Sequence, residues 1–135
     1  LSGFHHAVDK VPGIKIVASQ TANWERDQGF NVFQNILQSN SDVQALFSCN
    51  DMMALGAIEA IATAGKTGEI IVVGFDAIND ARQAIREGRM NGSVAQHPYK
   101  MGKQAIENAY QVLKGEIIPK YIPVKIELIT IENVD

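Results

Sequence analysis

The stretch Glu69-Ile70-Ile71-Val72-Val73-Gly74-Phe75-Asp76 decides the fold. Its centre is an almost unbroken β-branched run, with Gly65 and Gly68 in the turn before it and a glycine, an aromatic and a carboxylate at its close. A short, continuously apolar run between turn signals is the pattern of a central strand of a parallel sheet, buried on both faces.

Upstream, Val43 to Ser48 reads as a second strand. Asn50-Asp51 follows it and leads into Met52-Met53-Ala54-Leu55-Gly56-Ala57-Ile58, a tight strand-to-helix corner where either polar side chain can accept a bond from the free amides of the first helical turn. From Glu25 to Gln38, residues Phe30, Phe33, Ile36 and Leu37 recur at helical spacing, and Ser39-Asn40-Ser41 ends that helix. Ile14 to Ala18 alternates like a strand, and Leu1 to Asp9 is the tail of a helix that stops before Pro12-Gly13.

Downstream, Asn79 to Glu87 is a helix closed by Gly88, and Gly92 to Gln96 is a short strand leading to Pro98. Tyr99 to Lys114 carries a wide apolar stripe of Met101, Ala105, Ile106, Ala109, Tyr110, Val112 and Leu113; Val124 to Ile131 alternates as a last strand. Strands alternating with helices predict an α/β fold, a parallel sheet with helices on both faces.

At 135 residues the chain fits a single domain, and a domain near that size removes about 68% of its unfolded surface on folding. Hydrophobic residues make up 46% and charged residues 20%, the balance of a globular domain. The net charge of -3, from 12 basic and 15 acidic residues mixed along the chain, offers no footprint for nucleic acid or anionic lipid. Cys49 is alone, so it forms no internal disulfide and reads as a buried small side chain. His5, His6 and His97 have no metal-binding spacing, and no cofactor motif is present. The chain opens on Leu1 without a signal-peptide pattern, which suggests a piece of something longer or a processed product.

In open α/β sheets ligands bind beyond the carboxyl ends of the strands. Four corners lie there: Thr21-Ala22-Asn23-Trp24, Cys49-Asn50-Asp51, Gly74-Phe75-Asp76 and Gln96-His97-Pro98. Together they offer aromatics, amides and carboxylates. Sugar hydroxyls both donate and accept, so they suit amides and carboxylates, while the C–H faces of a sugar ring suit flat aromatic walls. No GxSxG elbow, GxGxxG or Walker A sequence occurs, which argues against a hydrolase, a dinucleotide or a phosphate ligand.

Each residue also has a purely structural reading. Trp24 can be a lid over the core, Asp51 a helix cap, Phe75 core packing and Asp76 a turn former; Gln96 alone is uninformative. With Asp51 favoured as the cap, Asn50 is left freer. Met52, Met53, Glu25, Arg26 and Asp27 receive no functional role.

At these same corners the chain resembles the ribose- and allose-binding proteins of the type I periplasmic binding family, whose fold is shared with the ligand domains of LacI-type repressors. The resemblance is carried by Ala18 to Arg26, Asn50 to Gly56, Val72 to Asp76 and Val94 to Pro98, four ordered motifs that span nearly the whole chain. It implies a Rossmann-like lobe of a two-lobed receptor that closes on a monosaccharide, with no catalysis and no cofactor. Its implied partners are an ABC permease and a chemoreceptor. Its implied place is the periplasm or another extracytoplasmic location, lipid-anchored in a Gram-positive source.

The resemblance further implies that the aromatics at Trp24 and Phe75 stack on the sugar, and that Asn50, Asp76 and Gln96 bond its hydroxyls. Trp24 looks like the allose-type members and Gly74-Phe75-Asp76 like the ribose-type, so the sugar stays open. A binding arginine and an N-terminal lobe are implied before Leu1. Residues 1–96 then form the C-terminal sugar-binding lobe, lacking its first strand; 97–123 belong to the N-terminal lobe; 124–135 are the return strand and C-terminus. Alone, the helix from Tyr99 to Lys114 would expose its stripe and drive self-association or pairing with the missing lobe. The alternative is the effector domain of a LacI-type regulator. A sugar-modifying enzyme would need a facing acid/base pair, and none is evident.

Overall fold

The structure, a computed structural model, describes residues 1–135. Its elements in chain order are α1 (Ser2–Val8), α2 (Arg26–Ser39), β1 (Ala45–Phe47), α3 (Asp51–Thr63), β2 (Ile71–Phe75), α4 (Asn79–Arg86), β3 (Gly92–Ala95), α5 (Pro98–Leu113) and β4 (Glu127–Ile129). The strands form one sheet in the order β1-β2-β3-β4. The first three run parallel, and β4 pairs antiparallel with β3. Parallel neighbours require crossovers, and α3 and α4 supply them. The α/β architecture expected from the strand and helix alternation is the one observed.

Pairing Leu46 with Val72, and Gly74 with Ser93, puts these residues on one face of the sheet. There they meet α3 and α4 in a core that includes Leu55, Ile58, Ile61, Val72, Ala81, Ile85, Met90 and Ile129. Helix α3 is buried on nearly every side because it lies between the sheet and α2. Two glycines allow that approach. A side chain on Gly29 would sit 2.5 Å from the Met53 carbonyl oxygen, and one on Gly56 would run into the Arg26 carbonyl.

The second face departs from expectation. The central strand was expected to be buried on both sides, yet Ile71 is 54% exposed and Leu128 53%. The short α1 reaches this face through a stack of Phe4 on Phe47 at 4.9 Å. Its cover does not extend to Ile71. The expected strand from Ile14 to Ala18 also fails to form. Ile16 and Ala18 turn partly inward while Lys15 and Val17 face solvent, so the alternation is present over these four residues. However, no backbone amide from Lys15 to Trp24 bonds to another backbone group, and an extended segment without a ladder is not a strand.

The remaining elements fall where periodicity placed them, with shifted ends. The strand expected over Val43 to Ser48 shortens to β1, and that over Val124 to Ile131 shortens to β4. Cys49, expected inside, is half-buried. No residue of α5 is buried, and Tyr99, Ile106 and Leu113 stand in solvent.

Candidate functional site

Because β1, β2 and β3 are parallel, their carboxyl ends share one edge, and the corners that follow them line one rim. Five non-glycine residues of the chain have positive φ: Asn23, Trp24, Asp76, Ala77 and His97. All of them lie at or beside the corners singled out above. Such backbone costs on the order of 1–3 kcal/mol per residue and persists only where the surroundings enforce it.

At the first corner, φ of 50° at Asn23 and 68° at Trp24, with the Glu25 amide donating to the Ala22 carbonyl at 3.0 Å, makes a turn of the type I′ kind. The Asn23 side chain donates to Gln28 Oε1 at 2.7 Å and ties this turn to α2. Trp24 is 64% exposed. It is no lid on the core.

At the second corner Asn50 is the helix cap. Its Oδ1 accepts from the Met53 amide at 2.9 Å, and its Nδ2 donates to the Trp24 carbonyl at 3.1 Å. That second bond joins the first two corners. The expectation that Asp51 caps and Asn50 stays free is therefore reversed. The physical reason is direction: Asn50, extended before the first turn, has its oxygen beside the amides, whereas Asp51 already lies in the helix and points into the sheet.

Asp51 is wholly buried. Its Oδ1 accepts from Ser93 Oγ at 2.7 Å and its Oδ2 from the Ile78 amide at 2.9 Å. Burial pushes its pKa up, the nearby Asp76 charge pushes the same way, and the bonds from Ser93 and Ile78 pull against both. Residue type alone missed this pair. The available signal was a serine in the otherwise apolar run of β3 and an acid at the head of an apolar helix.

At the third and fourth corners Gln96 Nε2 donates to Asp76 Oδ1. His97, at φ 55°, starts α5 with its Nε2 3.6 Å from Glu127 Oε2. Phe75 is half-buried and, pairing with Val94, lies on the less covered face of the sheet, opposite Gly74. Its ring and that of Trp24 form no aromatic pair; the aromatic contacts present join Phe4 to His5 and Phe47.

The structure thus brings the Trp24 backbone to Asn50 and Asp76 to Gln96 along one rim, and leaves Phe75 without a direct bond to the others. Hydrogen-bonding capacity remains: Asp76 keeps Oδ2, Gln96 keeps its carbonyl oxygen and one N–H, and Asn50 keeps one N–H. Two surface depressions lie elsewhere, one of about 500 Å³ along α5 and one of about 600 Å³ over the starts of α2 and α3. Neither is lined by a rim residue.

Residues 1–117 match the periplasmic binding protein domain family. Over 127 residues, 94% of the chain, the sequence is 42% identical to the ribose import binding protein of Escherichia coli K12, and it spans 42% of that protein's length. It is 40% identical over 119 residues to the D-allose-binding periplasmic protein of the same organism, covering 87% of this chain and 38% of that one. Among solved structures, the ABC transporter periplasmic solute binding protein from Actinobacillus succinogenes with bound D-allose superposes with a TM-score of 0.92 at 38% identity, over 98% of this chain and 47% of that one. An ABC transporter solute binding protein from Bacillus halodurans with bound myo-inositol gives a TM-score of 0.88 at 33% identity, over 98% and 46%. The chain therefore spans less than half the length of these relatives. Sequence likeness along most of the chain and backbone likeness along nearly all of it converge on the fold that the strand pattern implied, and the chain belongs to the periplasmic binding protein domain family.

Proposed function

We propose that this chain is the C-terminal lobe of an extracytoplasmic receptor that binds a monosaccharide, ribose, allose or a similar pentose or hexose, and delivers it to an ABC permease without altering it. Residues 1–96 form the sugar-binding lobe, 97–123 pack in the N-terminal lobe of the whole protein, and 124–135 return. Trp24 and Phe75 flank the apolar faces of the ring; Asn50, Asp76 and Gln96 bond hydroxyls. A chemoreceptor is a further partner, and a lipid anchor holds the protein in a Gram-positive source.

The observation that carries this reading is the shared rim, where Asp76 and Gln96 are already hydrogen-bonded and Asn50 holds the Trp24 turn. A polyol ring needs donors and acceptors in that mixture. The names of the relatives and the ligands of their structures, ribose, D-allose and myo-inositol, support the same chemical class. Import and periplasmic binding proteins among those relatives support a receptor over a repressor domain.

Calorimetry on the complete protein with D-ribose, D-allose and myo-inositol tests it. An ionised acceptor contributes about 1.5–3 kcal/mol per bond, so Asp76→Ala is expected to weaken binding at least tenfold. Trp24→Ala is expected to weaken it through loss of the aromatic wall. Unchanged affinity in both variants discards the site.

A further inference from the structure

Asp51 is the only charged side chain that is buried. A carboxylate removed from water needs partners, and no cation reaches this one. Its partners are the Ser93 hydroxyl at 2.7 Å and the Ile78 amide at 2.9 Å, and the Ser93 oxygen in turn accepts from the Ala77 amide at 2.9 Å. The Asp76 amide donates to the Val94 carbonyl at 2.9 Å. Three successive amides of the corner after β2 are therefore pinned, one by strand β3 itself and two by a buried side-chain pair.

The pinned residues include the strained ones. Asp76 has φ 112° and Ala77 φ 52°, backbone that L side chains rarely adopt and that reverts unless held. The space beneath is reserved for the holder: a side chain on Gly74 would collide with Asp51 Oδ1. With no exposed surface, Asp51 cannot touch a ligand in this arrangement.

We infer that Asp51 and Ser93 are positioning residues for ligand binding, clamping the Asp76–Ala77 backbone from below so that the Asp76 carboxylate points along the rim. This rests on the reading of Asp76 as a hydroxyl acceptor given above. A clamp of this kind acts on affinity through Asp76 alone. A merely structural carboxylate would change stability and leave the affinity of the folded protein unaltered.

A double-mutant cycle on the complete protein separates the two, with calorimetric affinity for whichever of D-ribose and D-allose binds more tightly. Asp51→Asn keeps the volume and leaves one oxygen where two acceptors are needed. It is expected to weaken binding on the order of tenfold, as does loss of aim in one charge-assisted bond. In the Asp76→Ala background the same change is expected to cost less than about twofold, because no carboxylate remains to be aimed.

Equal losses in both backgrounds, or no loss in either, overturn the inference while leaving the site reading intact. Wild-type affinity in Asp76→Ala overturns the reading of Asp76 as a hydroxyl acceptor and this inference with it. If Asp51→Asn does not fold, Ser93→Ala takes its place in the cycle, since it removes the bond to the Ala77 amide and spares the bond to Ile78. The same non-additivity is then expected, and additivity overturns the clamp.

Discussion

The carboxyl group of Asp51 sits among uncharged donors, and burial raises its pKa above the ordinary 3.8, with the Asp76 charge adding to the rise. The folded chain therefore holds this proton more tightly than the unfolded one, and ionising Asp51 works against folding. Its contribution is most favourable below 3.8 and is lost as pH climbs through the raised folded value. Relative to Asp51→Asn, which does not titrate, the wild type is expected to gain thermal stability as pH falls from neutrality towards 3.8, carboxylates remote from Asp51 cancelling between the two. Paired melting curves across that range check this, and a pH-independent difference contradicts it. Residue type alone allowed either Asn50 or Asp51 as the cap and favoured Asp51, the one that does not cap. What separated them was one step of backbone: the residue just before the helix faces its free amides, and the next one faces the sheet.

Elements pack here by close approach as much as by apolar fill. Helices α2 and α3 cross where Gly29 and Gly56 leave backbone against backbone, and a Cβ on Gly56 would meet the Arg26 carbonyl and lie 2.7 Å from the Phe30 amide nitrogen. Gly56→Ala improves helix propensity by about 1 kcal/mol. Forcing the helices apart costs more, about 1–3 kcal/mol or above for overpacking a closed site against rigid backbone. A net loss is expected, read as a lower urea midpoint with an unchanged slope. Gly74→Ala is expected to destabilise as well, because its Cβ would strike Asp51 and the Met90 side chain, although these are side-chain ends that can shift where the Arg26 carbonyl cannot. The helical stripe of α2 was plain from Phe30, Phe33 and Leu37, and the burial of Phe33 and Leu37 follows it. The segment from Ile14 to Ala18 shows the opposite case, since alternation describes an extended chain and cannot provide the neighbour whose amides would make it a strand.

The whole molecule leaves much apolar surface in water. Tyr99, Ile106, Tyr110 and Leu113 follow one face of α5, and Ile117 and Tyr121 continue beyond it, all exposed. A face of that extent ordinarily finds a cover. Sedimentation of this chain by itself is expected to show species heavier than a monomer, and paired Ile106→Glu and Leu113→Glu changes are expected to shift it to the monomer. A monomeric unmodified chain contradicts the expectation. By itself the sequence determined the helices and the four strands of the sheet, though not that Ile14 to Ala18 would stay unpaired, that the fold is α/β, and that Asn50, Phe75, Asp76 and Gln96 stand at strand ends, because periodicity, caps and turn residues act over a few neighbouring positions. Only the tertiary structure decided that Asp51 and Ser93 meet beneath a strained corner, that Asn50 reaches the Trp24 turn, and that one face of the sheet is only partly covered. Those outcomes depend on which distant segment lies across from each side chain, and burial and partnership are properties of that juxtaposition.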